Sequence, residues 1–281
     1  MVIAVSCFGG DVPVPLISVI AGAYDINSYY SLDKSINSIL SQTFGDFEFI
    51  ICDDGSQDNT WDILSQYAAR DSRIKLLRNG RNLGLAASLN RCIEASSGEF
   101  IARHDLDDYC DEQRFARQFA FLQRYKDVGA LGCQAFLFDS NGIWGKADFP
   151  AEVTDRDFLF NSPFMHGSVI FRREALLAAG CYRVSRETYR MEDYDLFMTM
   201  QHICRCANLP DRLYYYCEDA AARKRRKYRY RIDEARVRFR GFKKLGLLPR
   251  GIPYVVKPLV VGLIPTGMLE KLKDAYYKRK R

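Results

Sequence analysis

The sequence predicts an α/β fold built on an open, mostly parallel sheet flanked by helices, with a basic helical extension at the C-terminal end. Three observations predict it. Between Leu16 and about Val128, short apolar runs alternate with stretches whose apolar residues recur at helical spacing, the pattern of a parallel sheet covered by crossover helices. Clusters of acidic residues fall just past the ends of those apolar runs, where open parallel sheets collect ligands. Beyond position 221 the composition turns strongly basic.

The first strand is Leu16 to Ala21 (LISVIA), and Leu32, Ile36, Ile39 and Leu40 then recur at i, i+4, i+7 and i+8 along one helix face. Phe47 to Cys52 (FEFIIC) forms the second strand, followed by a helix starting near Asp58 with Trp61, Leu64 and Ala68 on one side. Ile74 to Leu77 is a short third strand, and Leu85, Leu89 and Ile93 mark the next helix. Phe100 to Ala102 makes the fourth strand. Phe115, Phe119 and Leu122 carry another helix before Val128 to Phe138, a longer strand in a later, mixed part of the sheet. The expected organisation is an N-terminal extension over 1–15, a main domain over 16–220 and an extension over 221–281.

The 281 residues are 48% hydrophobic and 27% charged, which excludes a disordered, collagen-like or multi-span membrane chain and leaves a folded domain with room for a sizeable core. The net charge of +6 conceals an asymmetry. Residues 221–281 hold 20 Lys or Arg against 4 Asp or Glu, leaving 21 basic against 31 acidic residues in the remainder. Such a tail calls for an anionic partner, a membrane surface or nucleic acid, unless it is a solvated helix face or packs on the main domain. Residues 251–265 (GIPYVVKPLVVGLIP) are too short and too interrupted by proline to span a bilayer, which needs about 20 helical residues. An apolar segment beside a polybasic one suits the membrane interface, and no RNA-recognition motif accompanies it. Nine scattered cysteines without paired metal spacing read as reduced thiols, and the opening Met1 to Pro15 lacks the basic start of a secretory signal. Both fit a reducing cytoplasm.

Asp53-Asp54-Gly55-Ser56 follows the second strand and Arg103-His104-Asp105-Leu106-Asp107-Asp108 the fourth, so two acidic clusters reach one crevice. Carboxylates gathered there repel unless a cation neutralises them, and hard oxygen ligands suit Mg2+ or Mn2+ with substrate phosphates completing the shell. The same residues could instead cap helices and turns, with Gly55 allowing a tight turn. Asp193, in Met191-Glu192-Asp193-Tyr194-Asp195-Leu196-Phe197, lies three residues before Leu196 of the stripe Leu196, Met200, Ile203, so its carboxylate faces inward at a helix N-terminus. It is either a general base or a first-turn acid stabilising the helix dipole. His166, ahead of an apolar strand, is either a metal or phosphate ligand or a hydrogen-bonded structural residue.

Ser18-Val19-Ile20 leading to Tyr24, Ser38 to Phe44, Asp53 to Ser56, Asn82-Leu83-Gly84-Leu85, Ala102 to Asp108 and Glu192 to Asp195, in this order and spacing, resemble the large family 2 of inverting glycosyltransferases, of bacterial cell-surface polysaccharide type, with the fold called GT-A. The similarity runs from about Ile17 to Asp211. It implies that Ala21, Tyr24, Asp54 and Gly84 serve the donor nucleotide, that Asp105 binds the ribose or the metal, and that Asp107 binds the metal, Mn2+ or Mg2+. His166 is a further candidate ligand, and Asp193 is the implied catalytic base. The family's small polar residue and Asn near the end of the first strand are replaced here by Ala21-Gly22-Ala23-Tyr24-Asp25. The implied reaction transfers a sugar with inversion from a nucleotide-sugar, UDP-linked by expectation, to a lipid-linked or growing glycan acceptor. The enzyme would sit on the cytoplasmic face of the cell membrane, held through its C-terminal extension, with no nucleic acid partner. Two rivals are a sugar-phosphate nucleotidylyltransferase, against which Ala21 to Tyr29 lacks a basic loop residue, and a non-catalytic membrane scaffold that binds nucleotide-sugar.

Overall fold

The computed structural model describes residues 14–26, 29–218 and 228–263. Strands β1 (Ile17–Ala23), β2 (Phe47–Asp53), β3 (Ile74–Arg78) and β4 (Phe100–Arg103) alternate with helices α1 (Tyr29–Leu40), α2 (Thr60–Arg70) and α3 (Leu85–Ala95). There follow β5 (Tyr109–Cys110), α4 (Arg114–Arg124), β6 (Val128–Asp139), β7 (Gly142–Ala147), β8 (Ile170–Arg172), α5 (Arg173–Ala178), α6 (Glu192–Ile203) and β9 (Arg205–Cys217). Two helices, α7 (Arg229–Lys244) and α8 (Ile252–Leu263), complete the described chain.

The strands form one sheet in the order β3-β2-β1-β4-β8-β6-β9-β5, with β7 paired to β6. β1, β2, β3 and β4 run parallel, whereas β8 lies antiparallel between β4 and β6. β9 runs parallel to β6 and pairs antiparallel with β5. Because β1 is flanked by β2 on one side and β4 on the other, the chain direction of strand order reverses there, and a crevice opens beyond the carboxyl ends of these three strands. The segments after β1, β2 and β4 therefore meet in one place.

Alternation along β1 divides the core between the two faces of the sheet. Ile17, Val19 and Ala21 join Leu32, Ile36, Leu64, Phe115 and Leu122 on the side covered by α1, α2 and α4. Ile20 joins Leu89, Ile93, Leu176, Phe197 and Phe242 on the side covered by α3, α5, α6 and α7. Every residue of β2 is buried, so Phe49 to Cys52 reads as a continuous apolar run rather than an alternating one, while buried Glu48 is satisfied by Ser18 and Lys75.

The structure extends the sequence reading in three places. β1 continues through Gly22 and Ala23, residues too small to register as an apolar run. The helix expected near Asp58 begins at Thr60. β9, thirteen residues long, escapes the pattern because Asn208, Pro210, Asp211 and Arg212 interrupt it and its register against β6 shifts near Cys133 and Gln134.

In the C-terminal extension, α7 packs against α6 and α8 against α7. The anchor is Arg238, only 3% exposed, whose guanidinium donates to the Leu159 and Phe160 carbonyls and to the Tyr194 hydroxyl while pairing with Glu234 at 3.1 Å. The Arg223–Lys227 cluster, residues 264–281 and residues 1–13 lie outside the described residues. No described helix is long and apolar enough to cross a membrane.

Candidate active site

The loop after β2 shapes one wall of the crevice. Gly55 has φ +74°, and a Cβ there would lie 2.6 Å from the Arg81 backbone, so this turn admits only glycine. Asp53 is fully buried, accepts a hydrogen bond from the Ser56 amide at 3.0 Å and pairs with Arg78 at 3.1 Å. The Asp54 carboxylate points the other way. Its Oδ1 accepts from Asn79 Nδ2 at 2.6 Å and from the Leu83 amide at 2.9 Å, and its Oδ2 accepts from the Gly84 amide at 2.8 Å. A carboxylate has about four lone-pair sites, so one position on Oδ2 is left for a ligand donor. Asp54 thus builds the 79–84 loop and borders the site at once.

Gly84, at φ +90°, caps the N-terminus of α3, and that end opens on a cavity of about 310 Å³. Gly22, Ala23 and Tyr24 from the end of β1, Asp54, residues 82–86 and the segment from Val184 to Glu192 surround it. Free helix amides and their dipole favour an anionic ligand at this position. Of the residues expected at the nucleotide, Tyr24, Asp54 and Gly84 line the cavity, whereas Asp105, expected at the ribose or the metal, is not part of its lining. Ala21 does not: its side chain is 0% exposed and packs in the core below, because β1 runs two residues further and hands that position to Ala23.

The second cluster follows β4. Arg103 is fully buried and donates to Asp105 Oδ1 at 2.5 Å and to the His104 carbonyl. His104 is also buried, its Nε2 meeting Ser35 Oγ at 2.9 Å, and burial together with Arg114 holds it neutral by driving its pKa well down. The Asp105 amide donates to the Tyr214 hydroxyl at 3.2 Å, which fixes the acidic turn to β9. Burial opposes the charge on Asp105, yet the Arg103 guanidinium paired with it holds its carboxyl below the usual value.

Asp107 reaches the crevice mouth, where desolvation and then Asp105 push its carboxyl up to about 6. Asp108 is buried beneath, accepting from the Cys217 amide at 2.7 Å through Oδ1, and burial followed by Asp107 and Asp105 drives its carboxyl well up.

Glu192 and Asp193, in the first turn of α6, complete the acidic rim. Burial pushes the Asp193 carboxyl up to about 6, Asp105 adds to the rise, and the Tyr194 amide, donating at 2.7 Å, restrains it. Glu192 rises to about 7 through burial and then through Asp193. These mutual effects bring Asp105, Asp107, Glu192 and Asp193 into one electrostatic neighbourhood. A carboxyl with a pKa near 6 is ionised at neutral pH yet basic enough to take a proton, the property a general base needs.

His166 meets the Tyr182 hydroxyl through Nε2 at 2.8 Å, and burial and then Arg103 push its pKa down to about 3. It stands as a neutral, hydrogen-bonded residue behind Asp105. Among the described residues, no group of three or more His, Cys, Asp or Glu is arranged to hold a metal by itself. The donor chemistry nonetheless fits a hard divalent cation. Asp105 and Asp107 offer carboxylate oxygens in a neighbourhood where burial and then Asp105 lift Asp107, and Arg103 is the counter-charge on Asp105. The remaining ligands would come from phosphate and water.

Four contributors were not read from the sequence: Arg103 as the buried counter-charge, Tyr214 on the unrecognised β9, Glu192, and Arg190, which lines the cavity. A basic residue between an apolar run and an Asp was the only signal for the first.

Comparison with known proteins accords with this geometry. The profile of Glycosyl transferase family 2 matches residues 18–187. The Bacillus subtilis (strain 168) protein named "Putative glycosyltransferase EpsE" is 37% identical over 268 residues, covering 95% of this chain and 94% of its own. The Erwinia amylovora amylovoran biosynthesis glycosyltransferase AmsE is 27% identical, covering 92% of this chain and 98% of its own. The crystal structure of S. aureus TarS residues 1–349 in complex with UDP-GlcNAc superposes with a TM-score of 0.68 at 21% identity over 86% of this chain and 73% of that one, a likeness of fold. A profile spanning more than half the chain, a relative aligned almost end to end, and a sheet reversing at β1 above two acidic loops together make this chain a glycosyltransferase of family 2 with the GT-A fold.

Proposed function

We propose that the protein transfers a sugar, with inversion, from a UDP-sugar to a lipid-linked or growing glycan acceptor in cell-surface polysaccharide synthesis. The observation that carries the reading is the pairing of a nucleotide-sized cavity at the α3 N-terminus with an adjoining carboxylate rim whose Asp193 has a carboxyl near 6. Tyr24 and Asp54 border the nucleoside, and the α3 amides beyond Gly84 face the donor's negative charge. Asp105 and Asp107 would hold Mn2+ or Mg2+, which when bound supplies positive charge against the donor diphosphate.

Asp193 takes the proton of the acceptor hydroxyl as the oxygen attacks the anomeric carbon from the face opposite the departing nucleoside diphosphate. That single displacement inverts the anomeric centre and requires no carboxylate nucleophile. Names among the relatives support the substrate class: E. coli WfgD, 30% identical over 174 residues, is a UDP-Glc:alpha-D-GlcNAc-diphosphoundecaprenol beta-1,3-glucosyltransferase, and AmsE belongs to amylovoran biosynthesis. The mannosyltransferase PcManGT from Pyrobaculum calidifontis, similar in fold with a TM-score of 0.60 at 17% identity, is described with GDP-Man and Mn2+.

The same reading places the enzyme peripherally on the inner face of the membrane. α8 exposes Ile252, Val256, Val260 and Leu263 at spacings of four, four and three, one continuous apolar stripe with Lys257 beside it. Replacing Val256 and Val260 with Glu should reduce cosedimentation with vesicles containing phosphatidylglycerol, and undiminished cosedimentation would refute the anchor.

The central test is calorimetric titration with a panel of nucleotide-sugars in Mn2+ and then in EDTA, followed by NMR of the product linkage. Metal-dependent binding of one donor and an inverted product are expected. Binding of no donor by the folded protein, or a retained configuration, would overturn the assignment.

A further inference from the structure

The segment that leads into α6 holds an arginine in a conformation that suits glycine. Thr188, Tyr189, Arg190 and Met191 form a turn closed by the Met191 amide donating to the Thr188 carbonyl at 2.7 Å. Tyr189 has φ −55° and ψ 116°, and Arg190 has φ 67°. These are the angles of a type II turn, whose third position is left-handed and favours Gly or Asn. A side chain there costs on the order of 1–2 kcal/mol of backbone strain. The turn is locked from behind, because buried Thr188 donates through Oγ1 to the Arg183 carbonyl at 2.6 Å and to the Ser185 carbonyl at 3.0 Å. Glycine would relieve the strain with no other change to the turn.

Arg190 lies on the wall of the same cavity as Tyr24, Asp54 and Gly84. It is the one cationic side chain among the described residues that line it, whereas Asp54 and Glu192 bring negative charge. No described carboxylate pairs with Arg190. Its described partner is the Tyr230 ring of α7, 5.6 Å from the guanidinium, and Tyr230 also stacks on Tyr189 at 5.8 Å. An aromatic face under a guanidinium leaves its in-plane N–H fork free, and that fork matches a phosphate bidentately.

Resting on the assignment of this cavity to a nucleotide donor, we infer that Arg190 grips the donor's diphosphate from the α6 side of the cleft, with Tyr230 of the C-terminal extension positioning it. The ligand chemistry is an anionic diphosphate ester. A dianion entering a rim of carboxylates needs positive charge from the protein, and buried Arg103 is already committed to Asp105. The left-handed strain at Arg190 is thereby tied to function rather than to packing.

The test is calorimetric titration of the full chain, at saturating Mn2+, with UDP, GDP, dTDP and the parent nucleosides, comparing wild type with Arg190→Gly and Arg190→Lys and following thermal melting of each. Loss of a charge-assisted hydrogen-bond pair should weaken nucleoside diphosphate binding about tenfold or more in Arg190→Gly. Nucleoside binding should stay unchanged, and the melting temperature should stay level or rise because the turn is relieved. Arg190→Lys, which keeps the charge without the fork, should fall between. Tyr230→Leu should raise the KM for donor while leaving kcat within about twofold. Diphosphate affinity unchanged in Arg190→Gly, or a melting temperature that falls while affinity holds, would show that Arg190 only pins α7 and would overturn the inference. A folded wild type that binds no nucleoside diphosphate would instead overturn the donor assignment itself.

Discussion

Asp193→Asn separates chemistry from folding by moving them in opposite directions. The substitution preserves shape and leaves an oxygen to accept from the Tyr194 amide, but it removes the group proposed to take the acceptor proton. Loss of a general base costs about 10²- to 10⁴-fold, so turnover should fall by about 10³ while donor affinity stays near that of the wild type. In the wild type, activity should rise with pH along an acid limb centred near the Asp193 value of about 6, and the variant's residual activity should lack that limb.

Stability should change the other way. Because the folded carboxyl is raised from 3.8 to about 6, the folded state holds this proton more tightly than the unfolded chain. Its favourable contribution is complete below about pH 4 and is lost as pH rises through about 6. At pH 7 the ionised group therefore costs up to about 3 kcal/mol. Part of that rise is shared with Asp105, so Asn should recover about 1–2 kcal/mol, which for a chain of this size is a gain of about 2–6 °C in melting temperature. Differential scanning calorimetry at pH 7 and pH 4 checks it, with the gain confined to pH 7. A variant that retains transfer, or that loses it while melting lower, would refute the assignment of Asp193.

Other expectations follow from individual contacts. Asp107→Ala should abolish the difference between donor titrations in Mn2+ and in EDTA while leaving the melting temperature level or higher, since it relieves crowding around Asp105. A Cβ at position 167 would lie 2.0 Å from the Tyr214 hydroxyl, so Gly167→Ala should displace the ring that holds the Asp105 amide and lower both turnover and stability, the latter by about 1–3 kcal/mol. Arg238→Ala leaves the carbonyls of Leu159 and Phe160 without their donor and reduces Glu234 to its pairing with Arg231, and should cost about 1–3 kcal/mol in urea denaturation.

How much of this was readable in the sequence depended on what each feature is made of. β1 to β4 and their helices announce themselves because parallel strands are buried on both faces and their connecting helices on one. Asp53, Asp54, Asp105 and Asp107 were legible because they lie at or just past the ends of those strands, and Asp193 because it lies three positions before buried Leu196, although Ile203, expected on the same buried stripe, is 43% exposed at the far end of the helix. β9 was not, since its apolar residues are broken by Pro210 and Asp211 and its pairing with β6 shifts register. With β9 unread, Tyr214 and its hold on Asp105 had no visible counterpart. The strain at Arg190 is a backbone angle, and no side-chain pattern encodes it.

Arg238 also says where this molecule can be cut. The family profile stops at residue 187, and a chimera cut where it ends would place its junction before the basic helices. Yet the carbonyls that Arg238 satisfies belong to residues 159 and 160, inside the profile, and the hydroxyl it reaches is on α6, beside Asp193. The stretch that the family profile matches is thus shorter than the unit that these contacts tie together. Grafts that exchange acceptor preference between relatives should carry α7 with its own catalytic half, or replace both at once.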